Sequence, residues 1–245
     1  MLSKARIKLI HSLAHKKYRN ELKLFVVEGK KQVTELFTSN LNIKLILATP
    51  NWLTANTAFI KNQTEICEVS EDELKKVSFL TTPQEVLALV ELPKPIQNPT
   101  IGNGLTLALD TIQDPGNLGT IIRIADWYGI QNIICSQTCA DVYSPKVIQA
   151  TMGSFMRVGV HYIDLYEFLN QTSMPVYGAF IDGKSIHQTK LSTPAILVIG
   201  NEGNGISADI HKVITHPISI PRFGSAESLN AAIATAIICD AFARI

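Results

Sequence analysis

The sequence predicts an α/β protein built as two domains, and three observations carry that reading. Apolar runs of strand length alternate with helix-patterned stretches along the chain, as layered α/β architecture requires. In the second half those runs become continuous Ile/Leu/Val segments, the pattern of strands buried on both faces of a parallel sheet. Glycine use also changes abruptly: Gly29 stands alone before Gly102, and thirteen glycines follow from there. At the crossing, residues 92–104, Pro93, Pro95 and Pro99 precede Gly102 and Gly104, which makes a stiff and then flexible linker. The expected division is a domain at 1–93, a linker at 94–104 and a domain at 105–245.

In the first domain, Ile7, Ile10 and Ala14, flanked by Leu9 and Leu13, set an apolar stripe along a first helix. Lys4, Lys8, His11 and His15 recur at helical spacing on another face. LFVVE (24–28) reads as a strand, 30–38 as a helix and IKLILAT (43–49) as a strand. A helix follows Pro50, then a short strand at 65–69. Ser70 with Glu73 is a capping-box pair opening the next helix, and VLALVEL (86–92) closes the domain as a strand. In the second domain the strands are LTLALD (105–110), NIIC (132–135), VYGAF (176–180), AILVIG (195–200) and HPISI (216–220). The segment LNAAIATAIIC (229–239) has almost no polar face. A helix of that kind is buried on more than one side, within its domain or partly at a subunit interface.

Composition narrows the function classes. Hydrophobic residues make up 46% of the 245 positions and charged residues 18%, so the chain forms a core and is not disordered. No apolar run approaches the roughly 18 residues of a membrane span. The first residues interleave charge without an apolar stretch, so a secretory signal is not expected and the cytoplasm is. Cys67, Cys135, Cys139 and Cys239 form no C-x-x-C pair; structural thiols are expected, and no metal. Net charge is +1, yet residues 1–31 carry nine Lys/Arg against two Glu, a local +7 on a body of −6. Such a split points to a polyanion-facing surface, the other reading being a solvated first helix. The candidates for that polyanion-facing surface are Lys4, Lys8, Lys16, Lys17 and Arg19, with His11 and His15 assisting when protonated.

Three glycine-bearing loops follow strands in the second domain, where open α/β sheets place ligands. They are LALDTIQDPGNLGTIIRIADWYG (107–129), ILVIGNEGNGIS (196–207) and ISIPRFGSAESLNAAIATAI (218–237). Asp114-Pro115-Gly116-Asn117 is expected to turn the chain, and Ser228-Leu229-Asn230 to open the last helix, with Ser228 a natural cap. No G-x-G-x-x-G or G-x-x-x-x-G-K-[ST] occurs, which counts against an ordinary dinucleotide fold and removes P-loop phosphoryl transfer.

Taken together and in this order, the three loops resemble the motifs of the SpoU (TrmH) family in the SPOUT class of RNA methyltransferases. The matching elements are D-P-G-N-x-G-x-x-x-R, then G-N-E-G-x-G-I-S, then I-P with G-x-x-E-S-L-N. YSPKVIQATMGSFMRVGV (143–160) is similar to the family's segment between the first two. The resemblance implies a C-terminal trefoil-knot methyltransferase domain with a parallel sheet, preceded by a small ribosomal-protein-like substrate-binding domain. It implies a homodimer that transfers a methyl group from S-adenosylmethionine to a ribose 2′-hydroxyl of RNA. Ribosomal RNA is favoured over transfer RNA as the target, by family analogy alone.

The resemblance also assigns residues. Arg123 falls on the motif-one arginine, whose central catalytic role is often described as that of the base. A guanidinium with a pKa above about 12 is a poor base, which favours a clamp on the RNA phosphate and a positive charge beside the developing alkoxide. Outside the family, an (i, i+3) surface pair with Asp126 would explain it. Asn117 would orient Arg123 or the target ribose. Glu202 falls on the motif-two acid, bonding the first loop or a helix N-terminus. Ser228 and Asn230 fall on the polar pair of the third motif. Gly200, Ile220 and Leu229 match positions that bind the cofactor largely through backbone. Arg222 stands where many members have Met, and Ala231-Ala232-Ile233 replaces the usual V-S-V. Thr120 and Ile124 also depart from the common pattern. These differences bear on which RNA is used. The rival readings are an RNA-binding protein of this fold without catalysis, and a nucleotide-dependent enzyme on an open sheet.

Overall fold

A computed structural model describes residues 2–60, 64–96, 99 and 101–245. Positions 97, 98 and 100 of the expected linker lie outside the described residues. The chain divides into two units, Met1–Lys94 with Asp141–Met156, and Pro95–Ala140 with Arg157–Ile245. A segment from the second half of the sequence thus packs with the first half.

The first unit opens with α1 (Lys4–Ser12) and α2 (Lys16–Leu22), followed by β1 (Leu24–Glu28), α3 (Lys30–Leu36) and β2 (Ile43–Ala48). It continues with α4 (Pro50–Asn56), β3 (Glu65–Glu68), α5 (Glu71–Lys75) and β4 (Val86–Glu91). The sheet order is β1-β4-β2-β3, with β4 antiparallel to β1 and β2, and β2 parallel to β3. Ile10 and Leu13 are fully buried and pack with Val26, Leu45, Leu47, Leu87 and Leu89, while Ala14 is exposed. The expected first helix breaks after Ser12. The carbonyls of Leu13 and Ala14 accept hydrogen bonds from the Arg19 guanidinium at 2.7 and 2.9 Å, so a side chain takes acceptors that a continuing helix would give to amides. The Ser70–Glu73 capping box is formed.

In the second unit, β5 (Leu105–Leu109), α6 (Pro115–Trp127) and β6 (Asn132–Cys135) come first. The chain then makes α7 (Pro145–Thr151), which belongs to the first unit. It returns through β7 (Gly159–Tyr162), α8 (Leu165–Gln171), β8 (Val176–Ser185), β9 (Ala195–Ile199), α9 (Ala208–His211), β10 (His216–Ser219) and α10 (Ala231–Ala243). All strand pairs of the six-stranded sheet are parallel, in the order β10-β8-β9-β5-β6-β7. Leu107, Ala108, Ile196, Leu197 and Val198 on the central strands are fully buried, as both-faced burial predicts. Successive strands leave β5 toward β6 and β7, and the chain then crosses to β8 and β9 on the other side. The β5/β9 boundary is therefore the switch point at which open sheets bind ligands. No helix among the described residues is long and apolar enough to cross a membrane.

Candidate active site

The loops after β5 and β9 meet at that switch point. Asp114 caps α6 by accepting the Asn117 amide at 2.8 Å, with Pro115 in the first turn. Asn117 is therefore the third residue of a helix, and not part of the turn expected at 114–117. Its side-chain amide donates to the Glu202 carboxylate, and its carbonyl oxygen accepts from Asn230 Nδ2 at 2.8 Å. The Asn230 oxygen in turn accepts the amides of Ala232 and Ile233 at 3.0 and 3.3 Å, capping α10. The cap expected of Ser228 is thus supplied by Asn230, because α10 starts at Ala231. One amide–amide–carboxylate chain joins residues from all three loops. Each amide orientation is set by a donor on one side and an acceptor on the other.

Beside this chain lies a cavity of about 550 Å³, lined by Gly200, Glu202, Ile220, Ser228 and Leu229 among others. That volume suits a small-molecule ligand. Gly200 is required here: a Cβ would stand 2.3 Å from the Gly205 carbonyl carbon, so only glycine lets the loop double back. Apolar Ile220 and Leu229 suit a purine ring, and Glu202 and Glu227, which also line the cavity, suit a cationic sulfonium. The residues present therefore fit S-adenosylmethionine.

Arg123 is not part of this arrangement. Six residues beyond Asn117, it projects about 240° around the helix, and it does not line the cavity. It is exposed, and no hydrogen bond or ion pair to another described residue is made by its guanidinium. The alternative pairing with Asp126 is absent, because Arg157 grips that carboxylate through contacts of 2.8–3.1 Å.

In the first unit, Lys4, Lys8, Lys16 and Lys17 are exposed. Arg19 corrects the expected RNA face. It is only 2% exposed, and its guanidinium is occupied by the Leu13 and Ala14 carbonyls and, at 2.6 Å, by Asp141. Two residues at the switch point were not singled out from the sequence. Asp110 is buried at the end of β5 and accepts the Ser207 amide at 2.7 Å, and Asn201 donates to the Thr111 carbonyl at 3.0 Å. A strand-terminal Asp and a loop Asn are common, so only burial makes them informative. Cys135, Cys139 and Cys239 are buried, and Cys67 is half-buried. Burial pushes Cys239 up to about 12, whereas hydrogen bonding to Cys135 lowers Cys139 to about 7.

Fold and site together define the class: an α/β methyltransferase domain joined to a smaller α/β domain. The chain belongs to the SpoU rRNA Methylase family, whose match covers residues 104–240, and residues 4–88 match the MRM3-like substrate binding domain. It is an S-adenosylmethionine-dependent RNA 2′-O-ribose methyltransferase, as the three motifs implied. The chain is 30% identical over 227 residues to the 23S rRNA (guanosine(2553)-2′-O)-methyltransferase RlmP of Bacillus subtilis, covering 91% of this chain and 90% of that one. A solved TrmH-family structure from Porphyromonas gingivalis is 41% identical with a TM-score of 0.91, over 100% of this chain and 99% of the other. An AdoMet-bound rRNA methyltransferase from Sinorhizobium meliloti is 28% identical with a TM-score of 0.90, over 100% and 97%.

Proposed function

We propose that this enzyme methylates a ribose 2′-hydroxyl of large-subunit ribosomal RNA and works as a homodimer. Residues 1–93 hold the RNA, and residues 105–245 carry out the transfer. The observation that carries this reading is the Asn230–Asn117–Glu202 chain beside a cavity lined by Gly200, Ile220 and Leu229. The relatives named as 23S rRNA 2′-O-methyltransferases support the choice of RNA.

Gly200, Ile220 and Leu229 would hold S-adenosylmethionine in that cavity, and the donor would supply an electrophilic methyl group for the ribose 2′-oxygen. The protein's part is orientation and charge. Ser228 lies on the cavity wall, and Asn117, fixed from both sides, sets the geometry of the adjoining polar chain. Arg123, exposed and without a partner among the described residues, clamps a phosphate of the RNA, and its place off the cavity wall makes it a contact to the RNA and not to the donor. Exposed apolar side chains support the dimer: Ile233 and Ile237 on α10, and Trp127, 85% exposed, on α6, which packs against α10. Faces of this kind mark interfaces.

The test is methyl transfer by the purified protein to 23S ribosomal RNA, with the modified ribose mapped. Incorporation at one position is expected. Incorporation into transfer RNA alone overturns the choice of substrate. For the dimer, Ile237→Glu is expected to yield monomers in sedimentation, and a wild-type monomer at micromolar concentration contradicts the assembly.

A further inference from the structure

Asp110 is a buried carboxylate, 4% exposed, that the chemistry above does not use and that does not line the cavity. Next to it Thr111 holds φ = 61°, a left-handed conformation in which a β-branched residue is strained. Both peculiarities have the same destination. Asp110 Oδ2 accepts the Ser207 amide at 2.7 Å, and the Thr111 carbonyl accepts Asn201 Nδ2 at 3.0 Å.

Ser207 and Asn201 are the two ends of one loop. Within it the backbones of Asn201 and Gly205 exchange hydrogen bonds of 2.9 and 2.8 Å. Asn201 Oδ1 also gathers the amides of Gly203 and Asn204 at 2.9 and 3.1 Å. This loop supplies Gly200, Asn201, Glu202, Gly203, Asn204 and Gly205 to the cavity wall. It is a rigid unit, fastened at its start by Thr111 and at its end by Asp110.

We infer that Asp110 and Thr111 form a brace holding the 200–207 loop in the shape that binds the methyl donor. Asp110 is thus a positioning residue, acting on the donor through Ser207. The strained Thr111 backbone is tolerated because it turns its carbonyl toward Asn201, while its own amide and hydroxyl are bonded to Ser136 and Asp110. The inference rests on the reading of this cavity as the donor site.

Ser207 allows a test from the opposite end. Its backbone, at φ = −62°, is already proline-like, and its side chain makes no capping bond. Ser207→Pro therefore deletes the N–H that Asp110 receives while keeping that φ. Asp110→Ala and Ser207→Pro are each expected to raise the donor Kd in calorimetry by about tenfold, the effect of one lost charge-assisted hydrogen bond. Turnover at saturating donor and RNA affinity stay near wild type. The double variant is no weaker than Asp110→Ala alone, because Ser207→Pro removes only a bond that Asp110→Ala has already removed. Asp110→Asn, which keeps an acceptor oxygen, restores donor affinity. Wild-type affinity in Asp110→Ala overturns the brace, as do additive losses or a turnover defect with donor binding intact. If Asp110→Ala does not fold, Ser207→Pro alone decides. A wild-type chain that binds no donor overturns the reading of the cavity itself, and this inference with it.

Discussion

Arg19 in the first unit and Arg123 in the second are held in opposite ways. In the first unit Arg19 is buried, bridges two backbone carbonyls at the α1–α2 corner and pairs with Asp141. In the second unit Arg123 stands exposed on α6, and its acidic neighbour Asp126 is held by Arg157. A guanidinium with every near acceptor in use is part of the fold, and one kept without an internal partner is available to an incoming anion. Exposure and the absence of a partner among the described residues, and not charge, distinguish Arg123 from Arg19.

The largest effect on activity expected from this contrast is at Arg123. Arg123→Ala should lower methyl transfer by roughly one to two orders of magnitude, the loss expected from one charge-assisted contact to the RNA. Donor affinity in calorimetry should stay at the wild-type level, and so should stability. Near-normal turnover would return Arg123 to the status of a surface residue.

Arg19→Ala is the converse experiment. Removing one partner leaves Asp141 mostly buried without its counter-charge and orphans two carbonyls, so about 3 kcal/mol of folding stability should be lost. Urea unfolding reads this directly. The methyl-transfer rate per folded molecule should barely change. If Arg19→Ala leaves stability intact but weakens RNA binding, the two arginines are alike and the contrast fails.

The same pair shows what was legible in the sequence. Local pattern placed β1 at its observed bounds, and β2, β4, β5, β6 and β9 within a residue or so, because continuous apolar runs mark strands buried on both faces. The polar residues Asn117, Glu202 and Asn230 were legible through motif resemblance, and so was a bond from Glu202 to the first loop, which Asn117 supplies; the Asn230–Asn117 bond was not. The short β7, Gly159–Tyr162, carries Gly, His and Tyr among its four residues and gives no strand signal. The placement of Asp141–Met156 in the first unit depends on contacts far apart in sequence. Phe25 meets Tyr143 and Phe155 with ring centroids 4.8 and 6.0 Å apart, and Gln32 donates to Gln149 at 3.2 Å. Arg19 was misread for the same reason: its partner lies 122 positions away, and charge counting assigns every cation in a basic segment to the surface.

A smaller effect separates the remaining cations of the first unit from Arg19. Gln at Lys4, Lys8, Lys16 and Lys17 should flatten the salt dependence of RNA binding by about 0.7 in log–log slope for each single-strand phosphate no longer neutralised. Donor binding and stability should be unaffected. A slope equal to wild type would mean that these lysines are merely solvated.

The smallest effect concerns Glu28, the buried acid of the first unit. Glu28 accepts the Ser78 hydroxyl at 2.6 Å and the Phe79 amide at 2.7 Å. Burial raises its pKa above the ordinary glutamate value, and these two bonds offset only part of the rise. The folded value therefore exceeds the unfolded one, and the fold favours the protonated acid. Stability from this group is fully present below the unfolded pKa and is lost as pH rises through the folded pKa. Glu28→Gln keeps a carbonyl acceptor for Phe79 and has no charge to bury, so it should not share that loss. In urea unfolding at pH 4 and pH 7, the difference between variant and wild type should shift in favour of Gln at the higher pH. An unchanged difference would mean that Glu28 ionises without penalty.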